Sequence, residues 1–221
     1  LNMGQEIDLL INYPRTKRNV TERAQSKTEE DRAVARQFGR EFFDGDRRHG
    51  YGGFHYHPRF WQPVIPTFQT QYNLKAGDRI LDVGCAKGFM LHDLMQLIPG
   101  IEVNGVDVSH YAIENAIDSV RPFVQVADVR RLPYEDKSFD LVISINTIHN
   151  LEIGELKQAL REIQRVSRGA SFITVDAYRN EQEKELMYGW NLTAKTILHV
   201  DAWKQLFREE GYTGDYYWFV P

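Results

Sequence analysis

The sequence is short of cysteine, of charge of one sign and of long apolar runs, and each shortage excludes something. Its single cysteine, Cys85, cannot form an intrachain disulfide, so a reducing compartment, the cytoplasm, is the expected setting. Lys and Arg number 27 against 31 Asp and Glu, a formal net charge of −4, which gives no electrostatic reason to expect nucleic acid or an anionic membrane surface as partner. A small molecule suits that balance better. No apolar stretch approaches the ~20 residues of a membrane span, and Glu6 and Asp8 ahead of Leu9, Leu10 and Ile11 are not the basic-then-apolar layout of a signal peptide. The first residue is Leu1, so an initiator methionine or other upstream residues are expected to precede it.

What is present is alternation. Short apolar runs at residues 79–83, 102–107, 123–127, 139–145 and 170–176 read as strands, with helical patterns at 88–98, 109–118 and 154–166 between them. Alternation of this kind predicts an α/β fold, a mostly parallel sheet with helices on both faces. A helix over 64–74 precedes the first strand, and a helix over 201–210, capped by Asp201, leads to a last strand at 215–220. Residues 179–199 between them read as a less regular insertion.

Upstream, Ser26-Lys-Thr-Glu29 fits a capping box, and Val34, Phe38 and Phe42 at helical spacing predict one helix over 28–43. Residues 12–27 are polar and basic and read as an exposed arm. Residues 44–61 are dense in glycine, histidine and aromatic rings, which suits a lid that can close over a small ligand. The chain therefore divides into an N-terminal arm, helix and aromatic lid (1–62) and a main domain (63–221) with an acceptor-side insertion at about 177–199.

The chemistry should lie where the strands end. The first strand runs into Gly84-Cys-Ala-Lys-Gly88 and then a helix, a glycine turn through which a ligand can approach the main chain. Asp107 ends the second strand, 23 residues after Gly84, where a carboxylate can accept from both hydroxyls of a ribose; Asp128 ends the third and can accept from an adenine amine. Together they describe a nucleoside site. The turn is G-x-x-x-G rather than the G-x-G-x-x-G of dinucleotide binding, and no G-K-[ST] follows it.

The run Ile80-Leu-Asp-Val-Gly-Cys-Ala-Lys-Gly88, the turns Val106-Asp-Val-Ser109 and Ala127-Asp-Val129, and the stretch Leu132 to Val142 resemble the successive motifs of class I S-adenosylmethionine-dependent methyltransferases, in the small-molecule branch typified by ubiquinone-biosynthesis enzymes. The resemblance covers residues 63–176 and implies a Rossmann-like methyltransferase fold with S-adenosyl-L-methionine as cofactor. It implies that Gly84, Cys85 and Ala86 line the methionine part through main-chain atoms, with Gly88 also binding the cofactor, that Asp82 orients its ammonium group, and that Asp107 holds the ribose with Val108 against adenine. Asp128 and the Val129 amide would read the adenine edge, and Ile145 and Asn146 would border the methionine end. Ala86 stands where many relatives have glycine, which should stiffen the turn.

His149, where relatives often carry a histidine, is the first candidate base, with His55 and Tyr51 of the lid as further catalytic candidates. His57 and Tyr56 of the lid, and Tyr188, Trp190 and Asn191 of the insertion, are the candidate acceptor contacts. No metal site is expected, since His55 and His57 have no clear third ligand. The family sheet usually closes with a hairpin after the last helix. Only one strand remains here, which would leave the edge short or completed by a second copy of the chain, a homodimer. The expected reaction is methyl transfer to oxygen or nitrogen of a small polar molecule, such as a sugar or cell-envelope precursor. A regulatory protein that binds the cofactor without turnover, and a nicotinamide-dependent oxidoreductase, are the alternatives.

Overall fold

The computed structural model describes residues 3–15 and 27–220. The predicted strands assemble into one sheet, β1 (Arg79–Val83), β2 (Glu102–Asp107), β3 (Val124–Val126), β4 (Leu141–Ile145), β5 (Ser171–Tyr178) and β7 (Asp215–Phe219), joined by a short β6 (Leu198–His199) in the insertion that the sequence did not suggest. Their order is β3-β2-β1-β4-β5, with β7 beside the body of β5 and β6 beside its last two residues, and every pairing is parallel. The central strands are buried on both faces, hence their unbroken apolar runs.

Helices cover both faces. On one, α7 (Ile153–Val166) turns Leu156, Ala159, Leu160, Ile163 and Val166 into a core shared with α9 (Val200–Glu209) and its Trp203 and Phe207. On the other, α4 (Ile65–Tyr72) and α5 (Phe89–Leu97) bury Ile65, Phe68, Met90, Leu91 and Leu94. Full burial of each such apolar side chain stabilises by about 1.5–3 kcal/mol. The order reverses direction between β2-β1 and β4-β5, so the crevice for a ligand lies outside the carboxyl ends of β1 and β4.

Four expectations are corrected. The helix over 28–43 is two helices, α1 (Glu29–Ala35) and α2 (Arg40–Asp44), because Phe38 takes φ of 50° and breaks the run before Gly39. The cap of α1 is Thr28 with Asp31, a reciprocal capping box; Ser26, like most of the basic arm, lies outside the described residues. The insertion contains a regular helix, α8 (Glu181–Trp190), whose N-cap is Asn180. Helix α9 is capped by the His199 ring, which accepts from the Asp201 N–H, and not by Asp201.

The sheet edge is closed in a way the residues did not suggest. The chain's own N-terminal segment lies along β7: the Ile7 N–H donates to the Tyr216 carbonyl and the Tyr216 N–H to that of Gln5, 3.0 Å each. Glu6 also accepts from the Trp218 indole, and Leu9 is buried in the α4–α5 core. Neither a hairpin nor a second copy of the chain is needed to satisfy that edge.

Candidate functional site

The glycine turn sits at the centre of the carboxyl edge. Gly84 and Gly88 take φ of 85° and 80°, and a Cβ added at Gly84 would lie 2.1 Å from Thr147 Oγ1 and one at Gly88 2.4 Å from Val120 Cγ2. Both positions demand glycine by conformation and by space. Ala86 is left-handed as well, at φ 51°, which strains a residue bearing a Cβ. Its N–H donates to Asp107 Oδ2 at 2.8 Å, and Asp107 Oδ1 accepts from the Ser109 N–H at 2.8 Å. The carboxylate is thus held in place with lone pairs to spare for further donors.

Asp82 is the electrostatic oddity. It is 7% exposed, and among the described residues no side-chain hydrogen bond or ion pair meets it. Burial, reinforced by the nearby charge of Asp107, pushes its carboxyl up to about 7. Burial raises Asp107 as well, against the N–H groups of Ser109, Ala86 and Val108 that favour its ionised form. Two acids confined at one edge without a counter-charge form a site that a cation would neutralise.

Over this edge runs the segment from α1 to residue 62, as a strap. The Ser109 hydroxyl donates to the Phe38 carbonyl. Lys87 of the glycine turn, only 6% exposed, is clasped by Asp44 and by the Phe54 carbonyl, 2.7 Å each. The Asp44 carboxylate also accepts from the Tyr111 hydroxyl and the Phe54 N–H. Burial alone would raise its pKa; the hydrogen bonds from Lys87, Tyr111 and Phe54 outweigh it and hold Asp44 at about 2. Phe43, Tyr51 and Phe54 pack on one another above the turn, and Phe54 stacks on Phe89 at the start of α5.

The predicted residues divide into those the edge gathers and those it does not. Asp82, Gly84, Cys85, Ala86, Gly88 and Asp107 form one cradle, beside which Val108 stands 58% exposed. Asn146 follows β4 with φ of 53°, its side chain accepting from the Thr174 hydroxyl. Asp128 is not a free acceptor in this state: both its oxygens receive the Arg130 guanidinium, which holds its pKa low, and one caps the turn through the Arg130 N–H.

The His149 ring is engaged by the main chain. It is 3% exposed, and its Nδ1 accepts from the Asp176 N–H at 2.8 Å, so the proton of the neutral ring is on Nε2 and no lone pair is free to take another. Burial holds its pKa down against the pull of the Asp176 carboxylate. Its carbonyl accepts from the N–H groups of Lys195 and Thr196, so it anchors the insertion. Tyr56 and His57 are not in a shared acceptor pocket with Tyr188 and Asn191. The Tyr56 hydroxyl donates to Asp93 on α5, and the His57 ring caps the short helix α3 (Pro58–Trp61). His55 and Tyr51 are exposed on the strap. Tyr188 and Asn191 line a cavity together, whereas Trp190 stacks on Phe219.

Lys87, Asp44 and Thr147 escaped notice in the sequence. Their parts depend on tertiary contacts, although a lysine inside an otherwise small-residue turn is itself a signal.

Comparison with known proteins identifies the domain that holds this site. Residues 81–174 match the model of a methyltransferase domain. The chain is 31% identical over 139 residues to a malonyl-[acyl-carrier protein] O-methyltransferase of Legionella pneumophila, covering 60% of this chain and 47% of that one. It is 30% identical over 152 residues to a demethylmenaquinone methyltransferase of Symbiobacterium thermophilum, covering 65% and 59%. Residues 81–174 are those of a methyltransferase domain.

This methyltransferase domain has the fold of solved members. A chain in the complex between the Haloferax volcanii Trm112 methyltransferase activator and a methyltransferase superposes with a TM-score of 0.56 at 20% identity, covering 89% of this chain and 77% of that one. A Haemonchus contortus phosphoethanolamine N-methyltransferase 2, solved with phosphomonomethylethanolamine and S-adenosylhomocysteine, superposes at 0.58 with 19% identity, covering 80% and 44%. The chain spans about half the length of the curated relatives it matches. Among the described residues no helix is long and apolar enough to cross a membrane.

The domain's cofactor is S-adenosyl-L-methionine, and the cradle fits it. A turn without Cβ atoms admits close main-chain approach, a positioned carboxylate with spare lone pairs suits a ribose diol, and the uncompensated Asp82 suits an ammonium group. A nicotinamide dinucleotide finds no matching turn.

Proposed function

We propose that this chain transfers the methyl group of S-adenosylmethionine to an oxygen or nitrogen of a small polar molecule, a class that includes sugars and cell-envelope precursors. The observation that carries the proposal is the pair of carboxylates, Asp82 and Asp107, at the ends of β1 and β2 around the Gly84 turn.

In this reading Asp82 holds the ammonium group, Asp107 the ribose hydroxyls, and the exposed face of Val108 the adenine ring. The Val129 amide and Asp128, once shared with Arg130, meet the adenine edge. The Gly84–Ala86 main chain and Ile145 and Asn146 border the methionine end, with Thr147 packed against Gly84. The cofactor supplies a methyl group already activated on a sulfonium centre. The chain's part is to align the acceptor and exclude water, which the aromatic strap over the turn does. With His149 locked as the Nε2–H tautomer, an acceptor whose attacking atom is already unprotonated needs no base from the chain, whereas a hydroxyl acceptor must give its proton to a group other than His149.

Calorimetric titration with S-adenosylmethionine is the test: binding in the micromolar range is expected, and a folded sample that binds none refutes the proposal. Asp107→Ala should weaken binding at least about tenfold, the loss of a pair of hydrogen bonds to a charged group, with the melting curve retained. Unchanged affinity would mean that the ribose lies elsewhere.

A second reading, cofactor binding without turnover, is favoured by the same locked histidine. Release of S-adenosylhomocysteine in the presence of an acceptor separates the two.

A further inference from the structure

Beyond the carboxyl ends of β4 and β5 opens a cavity of about 360 Å3, walled by α1, α8 and the segment after α8. Its charged lining is Glu29, Arg32, Arg36, Glu152 and Lys195, with Tyr188 beside them. Arg32 is committed: it pairs with Glu29 at 2.7 Å and donates to the carbonyls of Gly189 and Asn191.

Arg36 is not. Its Nε is buried with no hydrogen-bond partner, and among the described residues no carboxylate forms an ion pair with it. A buried N–H in a native structure is ordinarily met, by protein, water or ligand, and a guanidinium cannot escape by losing its proton. Among the described residues Lys195 also has no ion pair, and it is held at the cavity by its own N–H, which donates to the His149 carbonyl. Glu152, the N-cap of α7, is the acid of this lining that forms no ion pair among the described residues.

The pocket shares the edge of the glycine turn, since Glu152 follows β4 and residues 188–197 follow β5. Its wall, α1, continues into the strap that covers the turn. We propose that the cavity binds the anionic group of the methyl acceptor, a phosphate or a carboxylate, on Arg36 and Lys195. This deepens the methyltransferase reading and rests on it for the word acceptor. Glu152 in the same lining disfavours a ligand that is anionic throughout. The class that fits is a small molecule bearing one anionic group on an otherwise neutral or cationic body.

The experiment uses the full 15N-labelled chain with S-adenosylhomocysteine present. The Arg36 side-chain Nε–H signal is followed by NMR while inorganic phosphate is titrated in one arm and malonate in the other, at ionic strength held constant with chloride. A saturable shift in at least one arm is expected, and the tighter arm tells phosphate from carboxylate. Arg36→Gln should weaken that binding about tenfold to a hundredfold, the usual loss for a charge-assisted hydrogen bond, and leave S-adenosylhomocysteine affinity unchanged. Lys195→Gln, an exposed position that should not disturb folding, should weaken it several-fold, about as a rim charge does. Equal response to phosphate, malonate and chloride overturns the proposal, as does wild-type affinity in both variants. If the anion binds but S-adenosylhomocysteine does not, the methyltransferase reading falls and the anion site stands.

Discussion

Changing Asp44 to Asn should unfasten the strap while leaving the sheet intact. Asp44 is the acceptor for the buried Lys87 ammonium, the Tyr111 hydroxyl and the Phe54 N–H, and its pKa of about 2 measures how strongly those donors favour the charged form. The carboxylate is depressed, so its contribution is present at neutral pH and is lost as pH falls from its unfolded value near 3.8 through about 2. That interval corresponds to roughly 2 kcal/mol at most. Asn keeps the shape but leaves Lys87 without a counter-charge, and an unpaired buried charge raises the cost to about 3 kcal/mol. The loss should appear as local opening, a population of open strap about 100-fold larger. Hydrogen exchange read by mass spectrometry should speed up over residues 38–54 and stay unchanged over α7. Pairing Asp44→Leu with Lys87→Met should recover much of the protection, because the two single losses are coupled. Unchanged exchange in Asp44→Asn would refute the clasp, and a uniform increase over α7 as well would show that the strap is part of the global fold.

Asp82 offers a proton count. Its raised pKa means that the free protein favours the neutral acid, a stabilisation present below its unfolded value and lost as pH rises through about 7; a cationic ligand reverses that preference. Affinity for S-adenosylmethionine should therefore rise with pH between about 5.5 and 7, by up to tenfold per unit, and calorimetry in buffers of different ionisation enthalpy should detect proton release. In Asp82→Asn the slope should vanish. At Gly84, substitution by Ala places a Cβ 2.1 Å from Thr147 Oγ1 at a φ of 85°, so denaturant melts should show a loss of about 2 kcal/mol or more. Adding Thr147→Ala should restore the part due to contact but not the part due to backbone strain; full recovery would refute the conformational argument.

The framework was legible because its signals are local. Strands buried on both faces read as apolar runs, and Gly84, Asp107 and Asp128 mark their carboxyl ends wherever the chain folds. What escaped reading depends on partners far along the chain. Nothing near His149 in sequence reveals that Asp176, 27 residues later, donates its N–H to the ring. Asp128 looked free although Arg130, two residues on, wraps it. The helix over 28–43 failed at Phe38, whose spacing is helical but whose carbonyl turns to receive Ser109. Helix α8 hid in the insertion because its exposed faces dilute the apolar period, leaving Met187 as its one fully buried side chain.

The pairing of residues 5–7 with Tyr216 bears on how the chain is made. These residues leave the ribosome among the first of this sequence, yet their partner strand is synthesised some 210 residues later. Such a contact closes a loop of about 210 residues and is rewarded only after the sheet exists. A segment made well before its partner is thus among the last to dock, and until it does, the growing sheet keeps the β7 flank open to any other strand that reaches it.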